Sequence, residues 1–303
     1  PLETCQCVAS FDKIRGELTL WGTFQAPHVI RTVGSLISKI PEHKIHVISP
    51  DIGGGFGNKV GAYSGYICSI VASIVTGRPV KWVEDRIENL STTAFARDFH
   101  MEMEIAATKD GKVTAMRCYT IADHGAFDAC ANATKWPAGL FSIISGSYDF
   151  PAAHVLVDGV YTNKAPGGVA YRCSFRVTEA AYCIERAMDI MAQKLGMDPA
   201  EFRIKNLIRR EQFPYTSAFG WQYDSGDYQT AMSKAMESVG YKKLREEQKA
   251  MREAFKRGET RELMGVGVAF FTEIVGAGPS RACDILGIAM FDSAEIRIHP
   301  TGS

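Results

Sequence analysis

Cys173 lies between two arginines, Arg172 and Arg176, in the run Ala-Pro-Gly-Gly-Val-Ala-Tyr-Arg-Cys-Ser-Phe-Arg over residues 165–176. A Pro-Gly-Gly turn (Pro166, Gly167, Gly168) leads into it, and a long helical pattern follows. Cations and a helix N-terminus both stabilise the negative charge that ionisation of a thiol creates, so this setting favours thiolate over thiol. A thiolate presented on such a loop is suited to act as a nucleophile or as a soft-metal ligand. The plain alternative is a buried, inert cysteine. A cysteine hydrolase would need a histidine base beside the thiol, and none of the seven histidines lies on this loop.

Two further constellations could do chemistry. In Asp51-Ile52-Gly53-Gly54-Gly55-Phe56-Gly57-Asn58-Lys59, three consecutive glycines and Gly57 let backbone amides approach a bulky anion without side-chain interference. The pattern is neither Gly-x-Gly-x-x-Gly nor a P-loop, because no Gly-Lys-Ser/Thr follows. A tight turn ahead of a helix would use the same residues. Gln25, in Thr23-Phe24-Gln25-Ala26-Pro27-His28, offers a neutral amide. Beside a metal-oxo group such an amide can donate a hydrogen bond without adding charge or competing as a ligand, although a glutamine before Ala-Pro is also an ordinary loop residue. His28, His100 and His124 lack ligand spacing and read as structural. Phe175 is the wall of a small apolar channel or core. Met188 and Met191 read as core filling.

The elements that must position these residues follow from periodicity and breakers. Residues 45–50 read as a buried strand running into the glycine loop, then a helix from Tyr63 to Val75 stopped by Gly77-Arg78-Pro79, then a strand over 80–83. Strand, glycine loop, helix, strand is a βαβ pattern whose loop amides offer an anion site at the helix N-terminus. Alternation over 100–121 around Asp110-Gly111 predicts a hairpin. Val177, Ala180, Ile184, Met188 and Met191 recur at helical spacing up to Gly196, and Asp198-Pro199 starts another helix over 200–208. Arg209-Arg210-Glu211 and Pro214-Tyr215-Thr216 mark a boundary, giving a first domain over 1–212 and a linker with the start of a second over 213–303. Within the latter, 228–257 reads as helical, and 264–272 and 289–298 as strands. The class is α+β, with mixed helix and sheet layers rather than a repeated Rossmann unit. Both ends look cut, which predicts an interior segment of a longer polypeptide.

Composition bounds the function. The 303 residues carry 34 Lys+Arg against 34 Asp+Glu, and no basic arm argues for nucleic acid. No apolar run is long enough to cross a bilayer, and no signal peptide opens the chain. The eight cysteines are scattered, only Cys5 and Cys7 being close, so they read as reduced thiols of a cytoplasmic protein.

Val169-Ala170-Tyr171-Arg172-Cys173-Ser174-Phe175-Arg176 resembles the active-site loop of the large subunit of aerobic molybdenum–copper carbon monoxide dehydrogenases, within the xanthine oxidase family of molybdenum hydroxylases. In the wider family the corresponding loop resembles Ala-Phe-Arg-Gly-Phe-Gly and lacks the cysteine. The resemblance covers essentially the whole chain. It implies a molybdopterin-binding domain holding molybdenum on molybdopterin cytosine dinucleotide, bridged by sulfide to a Cu(I) bound through Cys173. Thiolate softness suits Cu(I). It assigns Gly54, Gly55, Phe56, Gly57 and Ser174 to cofactor contact. Gln25 is placed beside the molybdenum oxo group, while Arg172 and Phe175 stand at the reacting site. The implied activity is oxidation of carbon monoxide with water to carbon dioxide, electrons passing to [2Fe-2S] clusters and FAD on partner subunits. A dimer of heterotrimers is implied, in the cytoplasm or attached peripherally at the inner face of the cell membrane. The family's general-base glutamate comes from a more C-terminal portion, which implies that the segment alone is inactive. The rivals are a copper-free hydroxylase of aldehydes or N-heterocycles and a cofactor-binding fragment without chemistry of its own.

Overall fold

Residues 6–22 fold as a hairpin on small apolar side chains that alternate with polar ones. β1 (Gln6–Asp12) and β2 (Glu17–Gly22) pair antiparallel from Cys7↔Gly22 to Asp12↔Glu17. Asp12 Oδ1 accepts from Ile14 N at 2.8 Å to shape the turn. The computed structural model describes residues 1–93, 95, 98–127, 143–166, 177–272 and 296–302. It divides into two compact units, one of Pro1–Met101, Tyr119–Trp136 and Leu156–Thr178, the other of Glu102–Cys118, Pro137–Val155 and Glu179–Ser303.

In the first unit, α1 (Pro27–Ser38) starts on a proline, whose fixed φ suits a first helical turn. β3 (Ile45–Ile48) runs parallel to β2; after the glycine loop come α2 (Ser64–Thr76) and β4 (Val80–Val83), which pairs antiparallel with β1. The sheet order is β3-β2-β1-β4. The expected strand–loop–helix–strand sequence is present, but its two strands are not neighbours, because the β1–β2 hairpin occupies the space between them. Cys7, Ala9, Leu18, Leu20, Ile45 and Ile70 form the buried core with Phe24 and Tyr66. Tyr66 makes edge contacts to Phe24 at 5.0 Å and to Trp82 at 5.4 Å. α3 (Arg86–Thr92) opens with a reciprocal capping box between Asp85 and Glu88.

β5 (Phe99–Ala107) and β6 (Val113–Asp123) form the expected hairpin about Asp110-Gly111, and β7 (Ala153–Val160) completes a three-stranded sheet in the order β5-β6-β7.

In the second unit, α4 (Val177–Leu195) and α5 (Pro199–Asn206) match the predicted helices, and Asp198 caps α5 by accepting from Ala200 N at 2.8 Å. Arg203, with 0% of its side chain exposed, donates Nε to Glu185 at 2.7 Å and pairs Nη1 with Asp189 at 2.8 Å. Tyr148 donates to the other Glu185 oxygen at 2.5 Å. A small ladder of β8 (Tyr215–Thr216) and β9 (Gln222–Tyr223) precedes α6 (Tyr228–Ser238) and α7 (Tyr241–Lys256), which break at Gly240, φ +63°. The expected strand over 264–272 does not form. The segment keeps an alternating burial pattern, but side chains engage its backbone: Gln248 Nε2 donates to Met264 O, and Phe270 N donates to Glu185, both at 3.0 Å. The expected strand over 289–298 lies outside the described residues up to 295, and residues 296–298 pair with no strand among the described ones. The mixture of helices and separate sheets is the α+β class.

Candidate functional site

The glycine loop and Gln25 meet in one corner of the first unit. Ser49, just past β3, donates its hydroxyl to Phe24 O at 2.7 Å and so ties the end of that strand to the residue before Gln25. Gln25 N donates to Lys59 O at 2.9 Å, and Gln25 Oε1 accepts from Gly57 N at 2.8 Å. A backbone N–H can only donate, so the amide's orientation is fixed: the oxygen faces the loop and the Nε2 group remains as a donor. The approach is close. A Cβ on residue 55 would come within 2.5 Å of Gln25 Oε1, and Gly57 holds φ +89°, a backbone conformation L side chains rarely adopt. Phe56 is itself left-handed at φ +53° with half its surface exposed.

A carboxylate from far back in the chain braces this corner. Glu3 Oε2 accepts from Gly53 N at 2.8 Å and pairs with the ammonium of Lys59, whose side chain is 0% exposed. Burial pushes the Glu3 carboxyl up, but the Lys59 ammonium and the Gly53 N–H outweigh it and hold the carboxyl below its usual value. Asn58, 3% exposed, has an Oδ1 with no hydrogen-bond partner among the described residues. Glu3, Asn58 and Lys59 were not among the predicted site residues. The signal available was a lysine directly after the glycine run, at the entrance to an apolar helix. The loop does not open α2 directly, as the βαβ reading expected: Val60–Tyr63 intervene, and Tyr63 extends as the residue before the helix. A cavity of about 440 Å³ adjoins the start of α2, lined among others by Tyr63, Ser64, Trp82, Glu84, Glu88 and Phe127, and neither Gln25 nor the glycine loop is among its walls.

Arg172, Cys173, Ser174, Phe175 and Arg176 lie outside the described residues. The chain leading to them is firmly held. Thr162 N donates to Gly125 O and Ala126 N to Lys164 O, both at 3.0 Å, and Phe95 N donates to Pro166 O at 2.9 Å. Lys164 pairs with Asp98 and, at 3.0 Å, with Asp123. Burial raises the Asp123 carboxyl, yet the Gly125 N–H, Lys164 and Thr162 bring it below its usual value.

Of the residues set aside as structural, His28 and His100 are exposed and Met191 is half-buried. His124 is buried and stacks edge-on against Tyr161 at 5.8 Å, and Met188 is fully buried. Cys5 and Cys7 sit in the sheet core, where burial pushes the Cys5 thiol up to about 12. Among the described residues, no group of three or more His, Cys, Asp or Glu could hold a metal ion. No helix among them is long and apolar enough to cross a membrane.

The corner fits a polar, anionic cofactor. It offers side-chain-free backbone, a fixed amide donor and an orphaned buried carbonyl oxygen able to accept from a ring N–H. The sequence profile described as "Molybdopterin cofactor-binding domain" matches residues 1–207, which include all of this corner. The chain belongs to the molybdopterin cofactor-binding domain family. Among relatives of this family, the carbon monoxide dehydrogenase large chain of Afipia carboxidovorans (strain OM5) is 76% identical over 303 residues, covering 100% of this chain and 38% of that one. That of Hydrogenophaga pseudoflava is 68% identical, covering 100% and 37%. The crystal structure of a Cu,Mo carbon monoxide dehydrogenase in its carbon monoxide-reduced state superposes with a TM-score of 0.94 at 76% identity, again over 100% of this chain and 38% of that one. The chain thus spans somewhat over a third of the length of the relatives it matches.

Proposed function

We propose that this chain is part of a molybdenum–copper enzyme that oxidises carbon monoxide: CO + H₂O → CO₂ + 2 H⁺ + 2 e⁻. The observation that carries this reading is the 76% identity to a carbon monoxide dehydrogenase large chain across all 303 residues, the cysteine loop included. The molybdopterin cytosine dinucleotide, when bound, supplies the metal at which the two electrons are collected. The backbone N–H groups of Gly54, Gly55 and Phe56 and the side chain of Asn58 would cradle its polar edge, while Gly57, whose N–H is held by Gln25 Oε1, lets the loop turn close to it. With its oxygen held by Gly57 N, Gln25 would offer Nε2 to the bound group as a donor that adds no charge. Cys173 holds Cu(I) as thiolate, favoured by Arg172 and Arg176 in sequence. Phe175 narrows the approach to a small apolar gas, and Ser174 contacts the cofactor. Partner subunits with [2Fe-2S] clusters and FAD take the electrons, in a cytoplasmic or membrane-associated dimer of heterotrimers.

The test is the metal content of the native complex with its carbon monoxide turnover. Near-equal molybdenum and copper with dye reduction driven by carbon monoxide is the expected result. Molybdenum without copper, with turnover of an aldehyde or N-heterocycle instead, would establish the copper-free hydroxylase. Cys173→Ser should abolish carbon monoxide oxidation while molybdenum stays bound; retained activity sinks the copper role.

A further inference from the structure

We infer that Glu3 and Lys59 form a clamp that positions the glycine loop and the Gln25 amide against the cofactor, so that this ion pair serves the site's geometry rather than only the fold. The inference rests on the cofactor reading above. Its evidence is a closed circuit of contacts. Glu3 Oε2 holds both ends of the loop, Gly53 through its N–H at 2.8 Å and Lys59 through its ammonium. Lys59 carries the circuit on through its own carbonyl, which accepts from Gln25 N at 2.9 Å. Gln25 closes it by accepting from Gly57 N at 2.8 Å. Every link is a loop residue or Gln25, apart from Glu3 itself.

A fully buried ammonium is costly unless paired, and Glu3 is the acidic partner the structure gives Lys59. Removing the carboxylate therefore does two things. It leaves Lys59 uncompensated, and it frees the amide of Gly53. Either movement passes to Gln25 through the Lys59 carbonyl, because Lys59 is the residue that joins the ion pair to the Gln25 backbone. A shift of even half an ångström at Gln25 Nε2 would change a hydrogen bond to the metal centre. Glu3 and Lys59 are positioning residues and touch no reacting atom.

The experiment uses the complete complex carrying Glu3→Gln, Lys59→Met and the double variant, with molybdenum content, thermal midpoint, kcat and KM measured on each. The paramagnetic resonance spectrum of the one-electron-reduced metal is recorded alongside. Glu3→Gln alone leaves the buried Lys59 ammonium unpaired and can unfold the corner. The double variant removes both charges and restores folding, so it decides the case. The expected result is a double variant with the wild-type thermal midpoint, a kcat lowered about tenfold at unchanged KM, and an altered resonance spectrum. A merely structural pair predicts that the double variant recovers kcat and spectrum together with stability, and that outcome overturns the clamp. A wild-type complex without molybdenum overturns the cofactor reading, and the clamp's role with it. Molybdenum present, with kcat and the resonance spectrum unaltered in every variant, overturns the clamp alone.

Discussion

The two units each bury a cation completely, and they surround it differently. Arg203 in the second unit is held from several sides: Glu185, Asp189, the Pro199 carbonyl and the Glu185 carbonyl accept from it, while Tyr148 and Phe270 N donate to Glu185. Its partners sit on helices and on the segment packed against them, so it fixes one helix against another. Among the described residues, Lys59 in the first unit has one acidic partner, and that carboxylate also accepts from a loop amide. The difference separates a lock from a brace. A cation wrapped on all sides stabilises the fold, whereas a cation tied to one residue and one loop sets where that loop stands.

The most severe way to break the contrast is Arg203→Met. It strands Glu185 without its partner and should cost about 3–5 kcal/mol, read as a fall in the urea midpoint that occurs whether or not the cofactor is bound. If the same change lowered molybdenum content in fully folded protein, the division into lock and brace would fail. Tyr148→Phe, which removes one bond to a charged acceptor, should cost about 1.5–3 kcal/mol in the same assay.

The helices that carry the lock were legible in the sequence, but neither the lock nor the brace was. α4 and α5 follow from apolar periodicity and from Asp198-Pro199, whereas the ion pairs of Glu185, Asp189 and Arg203 join two helices and left no local signal. Asp110-Gly111 announced its hairpin through a local turn signal. The β1–β2 hairpin went unseen because Cys7 and Ala9 give weak apolar contrast and its turn lacks an Asn-Gly or Asp-Gly pair. The sheet order was hidden because β4 finds β1 rather than β3, a non-local pairing that no pattern encodes. Glu3 meets Lys59 across 56 residues, so neither could be tied to the glycine loop from the sequence. The strand expected over 264–272 has the right alternation, but among the described residues it pairs with no strand, and side chains hold two of its backbone groups.

Two milder changes sharpen the comparison on the side of the brace. Gly57→Ala asks an L residue to hold φ +89° and should cost on the order of 1–2 kcal/mol. The loss should appear as lower cofactor retention, with Arg203 and its helices unaffected by amide exchange. The smallest effect is the pH dependence of Glu3. Its folded value lies below the ordinary 4.5, so its contribution is intact above that value and is lost only as pH falls through the lowered one. Denaturation of wild type and Glu3→Gln should therefore differ at pH 6 and converge in stronger acid; divergence on acidification would show that the sign is wrong.

The reach of the Glu3–Lys59 contact also bears on biosynthesis. With 56 residues between the partners, and synthesis at about 5–20 residues per second, the ribosome needs on the order of 3–11 s after Glu3 is made before Lys59 exists. During that interval the carboxylate exists without its ammonium, and Gln25 exists without the loop it will hold. The corner is therefore assembled only after its earliest parts have been made, so its geometry is a property of the folded unit and not of any local stretch of chain.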